Sequence, residues 1–241
     1  MKTIAEEGKQ LANYWAPNTL RFVELGLQRF SPYHNNDHIY TVVYHSVAAA
    51  TADGIAHEEM RLLVVAALFH DYAHSGGATD DAANIQRALA GLVVARTKQA
   101  FTVTESGMQQ IVDAIHSTYF DGTKFPNPPH ALGKYLRDAD LCMVYDPDGR
   151  VTLLKLMQEF APAISVLRDL NKEKVYTPEE PEYVWWWVQR NAAFLNRAEM
   201  FSDYGKALKE FQLERALATL SELAMEDAPP EARELFLNDL R

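Results

Sequence analysis

Four of the eight histidines fall in two short pairs. His34 and His38 stand four apart in Tyr33-His34-Asn35-Asn36-Asp37-His38, and His70 and His74 repeat the spacing in His70-Asp71-Tyr72-Ala73-His74. On a helix that spacing puts two imidazoles on one face about 6 Å apart. The distance suits two ligands of one metal, or one ligand beside an acid/base group. His70-Asp71 is the sharper signal, because it follows the apolar run Leu62-Leu63-Val64-Val65-Ala66-Ala67-Leu68-Phe69. A carboxylate leaving so apolar a helix costs on the order of several kcal/mol unless it is paired or binds a cation. Asp138-Ala139-Asp140 brings further carboxylates after another apolar helix turn. Any one of these residues alone reads as a hydrogen-bonded core residue, but His38, His70, Asp71 and Asp140 together read as a metal site. Imidazoles and carboxylates without thiolate suit Fe, Mn, Co, Ni or Zn, with Mg admissible at an oxygen-rich second position. His57, beside Glu58-Glu59, and His130, in a proline-rich loop, read as solvated. His45 shares the face of His38 and reads as core packing.

The elements that must position these groups read as helices. Ile39, Val42, Val43, Ser46, Val47 and Ala50 recur at three- and four-residue steps, as do Ile111, Ile115 and Thr118. Glu58–Phe69 is apolar nearly all round, which predicts a helix buried on every side. Further helices are expected over Asp81–Arg96, Glu105–Tyr119, Arg150–Phe160, Pro181–Arg197 and Phe201–Met225. Two-residue alternation is almost absent, so no sheet is expected. Loop signals stand at Ser75–Thr79, at Asp121-Gly122-Thr123 with the prolines that follow, at Asp146-Pro147-Asp148-Gly149, and at Thr177-Pro178 with Pro181. The expectation is one all-α domain over 1–241 with about nine or ten helices. Its metal-site core spans about 30–145 and a C-terminal helical segment about 150–241. Trp185-Trp186-Trp187 and Tyr204 in that segment would cap a pocket or form a dimer face, although an aromatic run on a helix reads more readily as core.

Composition narrows the function classes. Of 241 residues 48% are hydrophobic, with only 11 Gly and 11 Pro, which excludes a disordered or fibrous chain. The charge, 23 − 33 = −10, disfavours a nucleic-acid backbone as partner. Cys142 is the single cysteine, so neither an intrachain disulfide nor a cysteine-based zinc module can form. The N-terminal residues lack the apolar core of a secretory signal. The longest aliphatic and aromatic run is far short of the roughly 20 residues of a membrane span. A cytoplasmic protein without membrane partners is expected.

Tyr33-His34-Asn35-x-x-His38, then His70-Asp71-x-x-His74-x-Gly76, then Ala139-Asp140-Leu141 resembles the HD-domain metal-dependent phosphohydrolase superfamily. Within it the pattern is most similar to the catalytic core of class I cyclic nucleotide phosphodiesterases and their bacterial relatives. The resemblance runs from about Tyr33 to Tyr145. It implies an all-α HD-type fold with His38, His70, Asp71 and Asp140 as ligands of a first divalent ion. It also implies that His34 protonates the leaving oxygen, that Asp71 bridges two ions and that His74 lies near the second. Asp81 and Asn84 resemble a segment that supports the site in the bacterial relatives. Those phosphodiesterases recognise a purine with a glutamine followed by a stacking aromatic. Here Gln189 with Phe194 matches only loosely, so the substrate-binding residues are unassigned.

The expected activity is hydrolysis of a small phosphorylated substrate by water activated on one or two divalent metal ions. His34 and Asp71 are the catalytic candidates. Asp37 could orient His34, although a solvated carboxylate at a helix start is the plainer role. Two rivals stand beside this reading. One is a di-iron oxygenase of the HD fold, with His74 and His116 completing the second ion's ligands. The other is a non-catalytic metal- or nucleotide-binding module. A homodimer is left open.

Overall fold

Helix α4 (His57–Phe69) is the axis of the fold, and its sequence explains why. Every residue from Leu62 to Phe69 is buried, so no side of the helix is left for water. A helix apolar all round must be enclosed by others. In the computed structural model it packs against α1 (Ile4–Trp15), α2 (Pro17–Gly26), α3 (Asn36–Ala52), α5 (Asp81–Thr97), α6 (Glu105–His116) and α7 (Ala131–Cys142). Helices α8 (Gly149–Phe160), α9 (Tyr183–Arg197) and α10 (Asp203–Asp227) follow. The structure describes residues 2–26, 31–121, 124–142, 145, 149–160 and 183–227. Among them there are ten α-helices, one short 3-10 turn at Gly76–Ala78 and no strand, so the all-α expectation is met. The expected loops at 122–123, 146–148 and 177–181 lie outside the described residues, as do the side chains of Trp185 and Gln189.

The described helices follow the expected stretches closely, with two instructive differences. Helix α6 stops at His116 rather than Tyr119. There the Ser117 hydroxyl donates to the Asp113 carbonyl and the Thr118 hydroxyl to the Ile115 carbonyl, which satisfies the helix end and turns the chain. Helices α1 and α2 were not anticipated, although Thr3 and Glu6 form a reciprocal capping box and Pro17 takes the first position of α2. Helix α1 lies unusually close to α3: a Cβ on Gly8 would stand 1.8 Å from the Tyr40 carbonyl oxygen.

Two apolar clusters form the interior. The first joins α1 to α7 and includes Ala139, and the second joins Leu141 and Cys142 to Leu153, Trp187, Val188 and Leu195. Trp187 is buried there and Trp186 packs against it, so the described part of the aromatic run is core. Asp138 and Arg137 fasten the second cluster's helices to α7. The Asp138 carboxylate accepts from the Phe201 and Ser202 backbone N–H groups and the Ser202 hydroxyl, while Arg137 donates to the Glu199 carbonyl at 2.5 Å.

Candidate metal centre

The predicted ligands converge, but mostly from helix ends rather than helix faces. Asn35 is the N-cap of α3, accepting from the backbone N–H groups of Asp37 and His38. His38 therefore lies inside the first turn and His34 outside it. The cap, which needs extended backbone, breaks the shared helical face expected for the pair. His70 is the C-cap of α4, and the chain then leaves the helix, with Ala73 in the left-handed region at φ 57°. Asp71 and His74 thus stand on a turn, and the i,i+4 helical arrangement expected for His70 and His74 does not form. Asp140 comes from the last turn of α7. Asp138 points to the opposite side because i,i+2 residues are about 200° apart around a helix.

One ligand atom from each of His38, His70, Asp71 and Asp140 lies within 4.8 Å of all the others. His38 Nε2 is 3.2 Å from His70 Nε2, 2.9 Å from Asp71 Oδ2 and 3.3 Å from Asp140 Oδ1. His70 Nε2 is 3.1 Å from Asp71 Oδ2 and 3.5 Å from Asp140 Oδ1. Bonds of about 2.1 Å to one ion separate neighbouring ligand atoms by about 3.0 Å in octahedral and 3.4 Å in tetrahedral geometry. The observed separations bracket both. His70 Nδ1–H donates to the Ala67 carbonyl at 2.8 Å, so Nε2 is the nitrogen left for a ligand role. Two buried imidazoles and two carboxylates aimed at one point fit a divalent cation.

Without a cation the same set holds protons. Burial opposes charge on His38, but the hydrogen bonds that it donates to the Asp140 and Asp71 carboxylates outweigh it and raise its pKa. His70 is raised well above its usual value against the same penalty, chiefly by the charge of Asp71. Asp71 is correspondingly held well below the usual carboxylate range, and Asp140 at about 2. In both, burial opposes the charged form and the neighbouring imidazoles overcome it.

A second group, His34, Asp71 and His74, shares Asp71 with the first. His34 Nε2 lies 3.7 Å from Asp71 Oδ2, and its ring stacks on His74 with centroids 3.6 Å apart. Its other nitrogen is gripped: Nδ1 lies 2.5 Å from Glu159 Oε1. Glu159 Oε2 accepts from the Tyr33 and His34 backbone N–H groups, at 2.8 and 3.0 Å, and from the Ser31 hydroxyl. Although burial opposes it, this company lowers the Glu159 pKa to about 2. Glu159 was missed in the sequence. The available signal was a carboxylate set among Leu153, Leu156 and Phe160 on the inward stripe of α8.

The other candidates are placed as follows. His116 is exposed at the end of α6 and lies outside both groups. Burial lowers His74 to about 4, so this imidazole is neutral at pH 7. Asp81 accepts from the Phe120 N–H at 2.6 Å. Burial first, and then the charges of Asp71 and Asp140, push its pKa up to about 6. Asp37 is exposed at the start of α3. His45 is buried with Nδ1 2.9 Å from the Tyr204 hydroxyl. His57 is exposed against Trp15, and His130 stands 3.7 Å from Asp113.

No protein-family model and no curated protein matches the sequence. Solved structures match the fold. LmjPDEB1, in complex with IBMX, aligns with a TM-score of 0.59 at 12% identity, over 96% of this chain and 83% of that one. The phosphodiesterase domain of the RhoPDE fusion protein from the choanoflagellate Salpingoeca rosetta aligns with a TM-score of 0.52 at 15% identity, over 98% and 90%. At these identities the likeness is one of fold, and the fold is that of a phosphodiesterase domain.

Proposed function

We propose that this chain, with its phosphodiesterase-type helical fold, hydrolyses a small phosphoester in a metal-dependent reaction, with a phosphodiester of the nucleotide class as the leading substrate. The observation that carries the reading is the pair of groups sharing Asp71: four converging ligand atoms, and beside them a histidine whose far nitrogen is held by a carboxylate. His38, His70, Asp71 and Asp140 would hold the first ion, and Asp71 would also face a second. Bound divalent ions supply an acidified water and neutralise charge on the phosphate oxygens.

The chain's own groups do the rest. Glu159 accepts from His34 Nδ1–H, which fixes the imidazole and aims Nε2 toward Asp71. As water oxygen bonds to phosphorus and the bond to the leaving oxygen breaks, His34 Nε2–H gives its proton to that oxygen. Asp71 and Asp140 keep partly exposed edges, at 13% and 21% of their side-chain surfaces, so the site is open to a substrate. A di-iron oxygenase would draw on His116, which stands away from both groups.

The test is metal analysis of the purified protein, followed by assay against cyclic nucleotides, nucleoside monophosphates, dNTPs and bis(p-nitrophenyl) phosphate with Mn, Zn or Mg. Turnover of a phosphoester that stops on chelation and returns with metal is expected. It should persist without oxygen or reductant. Strict dependence on O₂ and reduced iron would overturn the proposal, as would metal binding with no hydrolysis of any ester in the panel.

A further inference from the structure

Asp71 stands past the end of α4, where the helical ladder no longer holds the chain. Two turn bonds remain, from the Tyr72 N–H to the Phe69 carbonyl at 2.9 Å and from the His74 N–H to the Asp71 carbonyl at 3.1 Å. Yet Asp71 belongs to both groups of candidate ligands, so its placement matters twice. Within Asp71-Tyr72-Ala73-His74, Asp71 and His74 belong to those groups and Ala73 has only a methyl. Tyr72 is the one long side chain of the turn that packs elsewhere. Its ring lies against the first apolar cluster, with centroids 5.4 Å from Phe69 and 6.0 Å from Phe22.

Two glycines make room for that ring. A Cβ on Gly91, in the interior of α5, would overlap Tyr72 Cδ1 and Cε1 and stand 3.1 Å from Cγ. A Cβ on Gly26, at the end of α2, would overlap the Tyr72 hydroxyl oxygen and stand 2.5 Å from Cε2 and Cζ, on the opposite edge of the ring. The ring therefore fills a slot whose two walls carry no side chain. Glycine inside a helix is less favourable than alanine, so α5 gives up some stability at Gly91, and the room it leaves goes to Tyr72. The slot joins the turn to α2 and α5, two helices that carry none of the four converging ligands.

We infer that Tyr72 is a positioning residue: seated between Gly91 and Gly26, its ring fixes the turn and so sets where the Asp71 carboxylate stands. Asp71 Oδ2 lies 2.9 Å from His38 Nε2, 3.1 Å from His70 Nε2 and 3.7 Å from His34 Nε2. A set of converging ligands tolerates only about 0.5 Å of misplacement. Restoring ordinary carbon–carbon contact, about 3.5 Å, to a ring that overlaps a new methyl moves it by about 1 Å or more. The neighbouring Asp71 is carried with it. The inference rests on the proposed metal-dependent hydrolysis, and it extends the site from side chains that would touch the ion to one that stands behind them.

The decisive measurement is zinc affinity of the full-length protein, by competition with a chromophoric chelator. It compares wild type, Gly91→Ala, Tyr72→Ala, Tyr72→Phe and the double variant Gly91→Ala/Tyr72→Ala, each shown to be folded by circular dichroism. Gly91→Ala and Tyr72→Ala should each weaken zinc binding about 10- to 100-fold, and Tyr72→Phe, which keeps the ring, less than about threefold. In the Tyr72→Ala background a methyl at position 91 meets no ring, so Gly91→Ala should add almost nothing. A ring that only packs would leave the affinity of every folded variant unchanged, and that result would overturn the inference. So would an equal loss from Gly91→Ala with and without the ring, or a Tyr72→Phe as weak as Tyr72→Ala. Should Gly91→Ala not fold, Tyr72→Ala against Tyr72→Phe still decides. Failure of the wild-type protein to bind zinc would instead defeat the metal reading itself, and metal-free protein would still report on Tyr72. There the ring ¹⁵N signals of His38 and His70, whose Nε2 atoms touch Asp71, should move in Tyr72→Ala and hold in Tyr72→Phe. Signals unmoved in both would overturn the inference without any metal.

Discussion

Two side chains four residues apart, His34 and His38, should fail in different ways when removed. His38→Ala deletes one of four converging ligand atoms and should lower metal content by itself. His34→Ala should keep the first ion and lose about 10²–10⁴-fold in rate on an ester with a poor leaving group. The loss should shrink for p-nitrophenolate, which needs little protonation to depart. Equal losses for good and poor leaving groups would remove His34 from proton donation. Glu159 makes a separate prediction about stability. Its pKa falls from an ordinary 4.5 to about 2 in the folded chain. A depressed carboxylate contributes stability that is fully present above its unfolded pKa and is lost as pH falls through the folded one. The contribution, roughly 3 kcal/mol at most, is present above about pH 5 and drains away toward pH 2. In urea denaturation, wild type and Glu159→Gln should therefore differ most near pH 6 and converge as the pH is lowered. A gap that stays constant with pH would show that the carboxylate's charge is not what the site uses.

Helix ends, more than helix faces, position the chemistry. Asn35 makes the point: its side chain caps α3 through Asp37 and His38, and its amide donates to the Ser31 and Pro32 carbonyls at 3.2 and 2.9 Å. One residue thereby orders both the strand of chain carrying His34 and the helix carrying His38. Asn35→Ala should cost about 1–2 kcal/mol in chemical denaturation, the usual value of a cap, and should weaken metal binding as well. Loss of stability with unchanged metal affinity would confine Asn35 to the helix end. The same residues show how far the sequence could be read. The apolar run of α4 announces its burial, and His70-Asp71 at its end announces a cation, because few other arrangements tolerate those groups there. The helical periodicity hid the breaks at Asn35 and Ala73, so the imidazole pairs were read on faces they do not share. Glu159 could not be found by spacing at all, since it meets His34 across 125 residues and only tertiary packing brings the two together.

At the scale of the whole molecule the candidate metal centre sits where the two apolar clusters meet. Ala139 belongs to the first cluster, Leu141 to the second, and Asp140 stands between them on α7. An ion held by Asp140 together with His38, His70 and Asp71 therefore braces both clusters, and its loss should be felt throughout the chain as one lowered transition. Binding at a hundredfold excess over Kd adds about 2.7 kcal/mol to stability. The pH dependence follows from the metal-free protonation state. His38 and His70 have raised pKa values there, so their pairing with Asp71 and Asp140 stabilises the metal-free fold below the unfolded histidine value of 6.5. That contribution is lost as pH rises through the raised folded values. The cation must displace the same protons, so its affinity rises over the same interval. These are one protonation equilibrium seen from two sides: the gap in Tm between metal-loaded and chelated protein follows the affinity alone and should widen as pH rises toward the raised folded histidine values. Calorimetric titration with zinc in buffers of different ionisation enthalpy should show protons released on binding, more at the lower pH. A Tm gap that is flat or shrinks with pH, with no proton release, would mean that the ion binds elsewhere than at the four converging ligands.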